Sequence, residues 1–365
     1  GNADLWHKCI GKQLWMRSSK RELHSHLFVV VDQINRGAAL INDAVGRVAV
    51  ANLNVRAGKK AMSSSAFIPA ASYFRAGVDL LENNLDKWTI DYDLCLLLYG
   101  LYAEACSCNG NFDLMEILLD EIFKHGKSLE DKLKGYVILV DSLAARDKLE
   151  EAIVTGFDIL GDLGEPIPRA ITKRVIIAEL LKTKLVLRGK DIDALGPMKD
   201  ETKRRVMGLL GTIFPYVYLA KVEYTPIVTF RMIRLTVKYG IHDASAYAFT
   251  AYGAIICGAM GNYRQGYEYG QVGLRLLERS RNTVWLTRIY TGLSIIKHWA
   301  QPLRAFLPSL LNAYNVGMRN GETQNATMAA HVYCLQSYHS GCPLPELEMK
   351  MRLFYDVMVA HGQQV

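Results

Sequence analysis

An apolar period of 3.6 residues runs through nearly all of the 365 residues, and it removes most folds from consideration. From Leu129 the apolar positions fall at Leu133, Tyr136, Val137, Val140, Leu143 and Ala144, one face of a helix. The stripe resumes at Leu149, Ala152, Ile153, Gly156, Ile159 and Leu160. Sustained two-residue alternation is absent, and β-branched runs such as Val29-Val30-Val31 sit inside helical patterns. The expected fold is therefore all-α. Ser128 and Asp131 have capping-box spacing, which predicts a helix beginning behind Ser128.

Turn residues divide the stripes at Cys108–Asn111, Ala145–Lys148, Gly164–Pro168, Gly189–Asp191, Gly196–Pro197, Tyr239–Gly240, Gly261–Asn262, Asn320–Gly321 and Gly341–Pro343. The segments between them suit antiparallel helix hairpins, and about fifteen helices fit. Small residues recur where two helices of a hairpin would cross. One unit gives Gly58, Ala61, a turn near Ser65, then Ala70, Phe74 and Gly77. Others give Ala103 with Cys106 and Gly110, and Val140 with Asp147, Ala152 and Gly156. A later one gives Ala254 and Cys257, a turn at Gly261, then Gly266, Gly270 and Gly273; the last turns at Gly341. These spacings read as a tetratricopeptide-like array with helices longer than the standard repeat. Gly266, Gly270 and Gly273 share one helix face, and each costs about 1 kcal/mol against Ala, so a neighbouring backbone is expected there. One count fails: three helices, near 169–188, 200–219 and 225–239, lie where strict pairing needs an even number. One helix is unpaired, or the array is interrupted at 167–240.

The runs Asn52–Ala61 and Ala71–Leu81, and Tyr247–Gly253 leading into Gly261–Gly270, resemble the helical region of large multidomain signalling proteins. In that family a serine/threonine kinase-like domain precedes a STAND-type, AAA-like ATPase and then a tetratricopeptide-like region; GAF and histidine-kinase modules, or a cyclase, follow. Glu268, Tyr269 and Gly273 depart from the family's preferences and alter packing only. The resemblance implies a right-handed superhelix of stacked hairpins over 46–365, with 1–45 as N-terminal helices at the tail of the ATPase arm. It also implies a non-catalytic scaffold and relay within a two-component sensor kinase whose ATP-binding modules lie elsewhere. The partners implied are other domains of the same polypeptide or a protein or peptide, with a homodimer left open.

Charge is segregated. Residues 1–60 carry 10 Lys and Arg against 4 Asp and Glu; 82–166 carry 7 against 18; 167–240 carry 15 against 6. Alternating blocks fit distinct electrostatic faces better than a nucleic-acid surface, and the aromatic residues of the basic block (Phe214, Tyr216, Tyr218) read as core. Arg169, Lys173, Arg174, Lys203, Arg204 and Arg205 are the candidate partner-binding residues. Gly58, Ala70, Gly77, Ala103, Ala152, Gly266, Gly270 and Gly273 are the candidate helix-crossing positions. A rival function is a stand-alone, co-chaperone-type adaptor whose basic face clamps acidic peptides.

Catalytic and cofactor motifs are not found. Gly126-Lys127-Ser128 ends like a phosphate loop, but Glu121 stands where the loop needs glycine. His331, Cys334, His339 and Cys342 could supply zinc ligands only if the helix carrying them broke near Gln336, so no metal or cofactor is expected. Seven thinly spread cysteines fit a reducing, cytoplasmic setting. The uncharged stretch Ala244–Tyr263 is rich in Gly, Ala and Tyr and reads as a buried helix rather than a membrane span.

Overall fold

Capping side chains turn the periodic segments into defined helices. Asp91 Oδ1 accepts from Leu94 N at 3.0 Å and Asp200 Oδ1 from Lys203 N at 3.0 Å. Ser128 Oγ accepts from Asp131 N at 3.2 Å while Asp131 returns an acceptor to Ser128 N at 3.0 Å, the reciprocal box its spacing predicts. The structure is a computed structural model that describes residues 2–82, 87–280, 285–320 and 322–360. Among these there are nineteen α-helices and no strand, only an isolated bridge between Pro197 and Ile241. The protein is all-α, with a repeating helical arrangement. Nineteen helices replace the expected fifteen or so partly because Lys20–Ser25 and Lys87–Ile90, six and four residues long, offer no full period to read.

Two units cluster separately, Gly1–Arg146 and Asp147–Val365. The first holds α1 (Asn2–Arg17), α2 (Lys20–Ser25), α3 (Leu27–Arg36), α4 (Ala44–Met62), α5 (Phe67–Leu81), α6 (Lys87–Ile90), α7 (Tyr92–Cys108), α8 (Phe112–His125) and α9 (Leu129–Ala145). Helices α4 and α5 form a hairpin, α5 packs on the next long helix, α7, and α7 also meets α4. The step repeats as α7 with α8, α8 with α9, and α7 with α9. Each first helix thus touches its own partner and the first helix of the next pair. Phe74 fills the space over Gly58, and a Cβ on Gly77 would come within 2.7 Å of Leu98.

The second unit holds α10 (Leu149–Asp162), α11 (Lys173–Leu187), α12 (Glu201–Ala220), α13 (Thr225–Tyr239), α14 (Asp243–Met260), α15 (Tyr263–Ser280), α16 (Leu286–Lys297), α17 (Leu307–Arg319), α18 (Thr323–His339) and α19 (Leu344–Ala360). Here the first helices α12, α14, α16 and α18 contact one another in succession, and α13, α15 and α17 each contact the first helix that follows. Ala70, Ala103 and Ala152 are fully buried in their units. The uncharged stretch near 244–263 becomes α14 and the turn after it, and α14 is largely buried. Gly266, Gly270 and Gly273 are all buried on α15. A Cβ on Gly266 would lie 2.6 Å from the Gly253 carbonyl oxygen, and one on Gly273 would lie 2.7 Å from that of Ala246. Helices α14 and α15 therefore meet backbone to backbone, which offsets the helix-propensity cost of the glycines.

In the basic region α10 packs on α12, and α12 packs on α13 and α14. Helix α11 is inserted between α10 and α12 in sequence and packs chiefly on α13.

Candidate interaction surface

The segment 163–241 of the second unit is organised by two carboxylates. Glu165 follows Gly164, whose φ of +76° turns the chain sharply at the end of α10. Its Oε1 accepts from Lys203 Nζ at 2.7 Å, and Arg231 of α13 donates to Oε2 while its Nη2 reaches the Pro166 carbonyl at 3.2 Å. Glu179 of α11 accepts from Arg234 of α13 and, at 2.8 Å, from Lys182. Burial pushes both carboxyls toward protonation, but the cations bonded to them outweigh it and hold both below the usual carboxylate range. Lys203 and Lys238 flank the Tyr239 ring, 5.7 and 4.9 Å from its centre.

The return from α11 to α12 is pinned. Met198 N donates to Ile241 O and Ile241 N to Gly196 O, both at 2.8 Å. Gly240 adopts φ +106° against that strand-like contact, where a Cβ would lie 2.8 Å from Gly196 O, so no other residue fits. Arg275 grips Asp193 Oδ2 through Nε and Nη2 at 3.0 and 2.8 Å, and Arg279 reaches the Asp193 carbonyl at 2.8 Å. Between this loop, the C-terminal end of α11 and that of α13 opens a cleft of about 590 Å³. Arg188, Lys190, Arg231, Arg234 and Lys238 line it against the single carboxylate Glu165, over walls that include Leu185 and Leu235.

The six basic residues read from the sequence are divided by these contacts. Lys203 belongs to the Glu165 cluster, and Arg204 and Arg205 lie 3.6 and 3.7 Å from Glu201, on their own helix. Lys173 and Arg174 open α11, both exposed, and Arg169 offers its carbonyl to Tyr224 Oη at 2.6 Å. Glu165, Glu179, Arg188, Lys190, Arg231, Arg234 and Lys238 were not singled out in the sequence. The usable signal was Arg231 with Arg234, three residues apart and so on one face of α13.

Other candidate chemistry has a structural role. The amides of Lys127 and Ser128 both donate to Asp131 Oδ2 at 3.0 Å, so the phosphate-loop-like amides are spent on a helix cap. Helix α18 runs unbroken through Gln336 and Ser337, which keeps His331 and His339 two turns apart, roughly 12 Å along the axis. Among the described residues no three His, Cys, Asp or Glu side chains converge as metal ligands. Burial pushes the Cys106 thiol up to about 11, which makes it an inert core group. No described helix is long and apolar enough to cross a membrane.

No family model matches the sequence. The chain is similar to hybrid signal transduction histidine kinase G of Dictyostelium discoideum, 22% identical over 353 residues and 88% of this chain. It spans about a tenth of that protein's length.

Proposed function

We propose that this chain is a non-catalytic, tetratricopeptide-like scaffold and relay within a large cytoplasmic sensor kinase, holding ATPase and output-kinase modules in register. The observation that carries the reading is the packing step repeated within each unit, in which α4 and α7, and then α12, α14 and α16, each contact a partner and the next first helix. Such a chain of neighbour contacts suits transmission and display of surfaces rather than the convergence of catalytic groups in one enclosed cavity. The similarity to a histidine kinase ten times longer supports a place beside catalytic modules. The charged clusters fit a packing role: Glu165 bonds to Lys203 and Arg231, and Glu179 to Arg234, each tie joining different helices or a helix to the chain before it.

The test has two arms. The purified chain, incubated with γ-labelled ATP and Mg²⁺, is expected to show neither hydrolysis nor self-phosphorylation, and turnover above a heat-denatured control rejects the reading. In the full-length protein, lysine crosslinks from this segment are expected to reach residues on both flanking modules. Crosslinks confined to the segment itself reject the relay role.

A further inference from the structure

Helix α11 packs chiefly on α13, and its outward face has an unusual composition. Arg174, Ile177, Leu181 and Leu185 follow one another at intervals of three, four and four residues, so they share a face of α11, and Arg188 caps its C-terminal end with extended backbone. Ile177, Leu181 and Leu185 are 56%, 55% and 69% exposed, while the residues α11 buries are Thr183 and Leu187. Three large aliphatic side chains in one exposed row, bracketed by arginines, are a different feature from singly scattered surface leucines. No acidic residue lies on that face; the one glutamate of α11, Glu179, is turned to Arg234.

The row runs into the cleft through a shared residue, Leu185, and Arg188 lines the cleft as well. Both α11 and α13 end at the cleft, and their carbonyl ends each contribute about half a negative charge. Two such half-charges, Glu165 and the Glu179 carboxylate paired with Arg234 sum to about three negative charges against five lining cations, so positive charge is left over. Arg231 bonds to Glu165 and the Pro166 carbonyl, and Arg234 to the Glu179 carboxylate, the Glu179 carbonyl at 3.4 Å and Thr183 Oγ1 at 2.9 Å; these engage two and three of the five N–H groups each guanidinium carries.

We propose that α11 and the cleft at its end form a docking site for an acidic amphipathic helix of a partner protein segment. Its aliphatic side chains would cover Ile177, Leu181 and Leu185, and its carboxylates would meet Arg188, Lys190 and Lys238. This deepens the scaffold reading and rests on it, by naming the chemistry of what the scaffold holds. Apolar spacing sets the register, and the basic end sets sign and orientation.

The probe is a fluorescein-labelled helical peptide with leucines four residues apart and glutamates on the opposite face and at one end. Two controls accompany it: the same leucines with lysines for glutamates, and the same composition with leucine spacing scrambled. Fluorescence anisotropy is expected to give a Kd of about 1–100 μM for the acidic probe, weakening several-fold as salt rises from about 50 to 300 mM. Leu181→Ser and Arg188→Glu are each expected to weaken it by about tenfold or more, with unchanged circular dichroism. Arg204→Glu, on α12, stays within about twofold. Equal binding of either control peptide, unaltered binding by the α11 variants, or no binding at about 1 mM overturns the proposal. So does light scattering that shows a dimer broken by Leu181→Ser, which makes a second copy the occupant. None of these results bears on phosphoryl transfer, so the scaffold reading stands or falls separately.

Discussion

Arg234 of α13 donates through Nη1 to the hydroxyl of Thr183 on α11 at 2.9 Å, while its Nη2 holds the Glu179 carboxylate one turn earlier. Thr183 in turn donates to the Glu179 carbonyl at 2.8 Å. One guanidinium therefore fixes the inserted helix at two successive turns.

Arg234→Met is expected to loosen α11 without unfolding the unit. Glu179, 15% exposed at its side chain, would keep only Lys182, which is 64% exposed and adds little. The loss of charged hydrogen bonds costs about 1–3 kcal/mol. Hydrogen–deuterium exchange should speed up across 173–187 and stay unchanged in α14 and α15. Uniform acceleration over the whole unit contradicts a local clamp.

The glycines of the second unit give opposite outcomes. Gly273→Ala pushes a methyl group against the Ala246 carbonyl, which belongs to a packed helix and cannot turn aside. A destabilisation of about 1–3 kcal/mol is expected. Gly258, exposed in the last turn of α14, has nothing within 4 Å of its would-be Cβ, and Gly258→Ala should stabilise by up to about 0.5 kcal/mol. Denaturant titration of the pair decides: equal shifts of the same sign mean that α14 and α15 do not meet at Gly273.

Much of this fold is legible in the sequence because helix period, caps and turn glycines are local signals. Ser128 with Asp131 marks the start of α9, and Gly110 and Gly261, both with positive φ, stand at the turns between α7 and α8 and between α14 and α15. The turn at Asn320–Gly321 falls partly outside the described residues. Parity suggests an irregularity near 167–240 but not which helix packs on α13, since all three candidates share the same period. The basic cleft was less visible for a physical reason. Glu165, the carboxylate that neutralises Lys203 and Arg231, closes the acidic block in sequence, 38 and 66 residues from its partners. Blockwise charge assigns it to the wrong neighbours. Only the fold of α10, α12 and α13 joins them.

Acid should weaken the second unit in two steps. His242 caps α14, its Nδ1 accepting from Ala244 N at 3.1 Å, which requires an unprotonated ring nitrogen. Burial lowers its pKa below the ordinary 6.5, with Asp243 and Glu201 opposing and Arg204 reinforcing the shift. The unfolded chain then binds the proton more readily, so this stability is full above about pH 6.5 and is lost as pH falls through the folded value. Glu165 and Glu179, held below their ordinary 4.5, give stability that is full above about pH 4.5 and is lost at lower pH. Thermal midpoints measured from pH 8 to 3 should fall in both windows. His242→Asn, which keeps a capping acceptor, should remove the upper step only; persistence of that step assigns it to another group.

In the first unit, Asn35 of α3 and Asn54 of α4 bond reciprocally, Asn35 Nδ2 to Asn54 Oδ1 at 2.8 Å and Asn54 Nδ2 to Asn35 Oδ1 at 2.9 Å. Asn54 is fully buried and also donates to the Val50 carbonyl at 3.1 Å. This pair joins residues on either side of position 45, where the sequence suggests a change from N-terminal helices to the repeat array. Asn54→Leu strands the Asn35 amide beside an apolar neighbour and should cost about 1–3 kcal/mol. Asn35→Leu with Asn54→Leu removes both stranded groups, so the double variant should lose less than the two single losses together. A coupling of at least about 0.5 kcal/mol in a double-mutant cycle is expected, since the two amides satisfy each other. Strict additivity would mean that α3 and α4 do not share this bond in solution, and would favour a separate segment before residue 46.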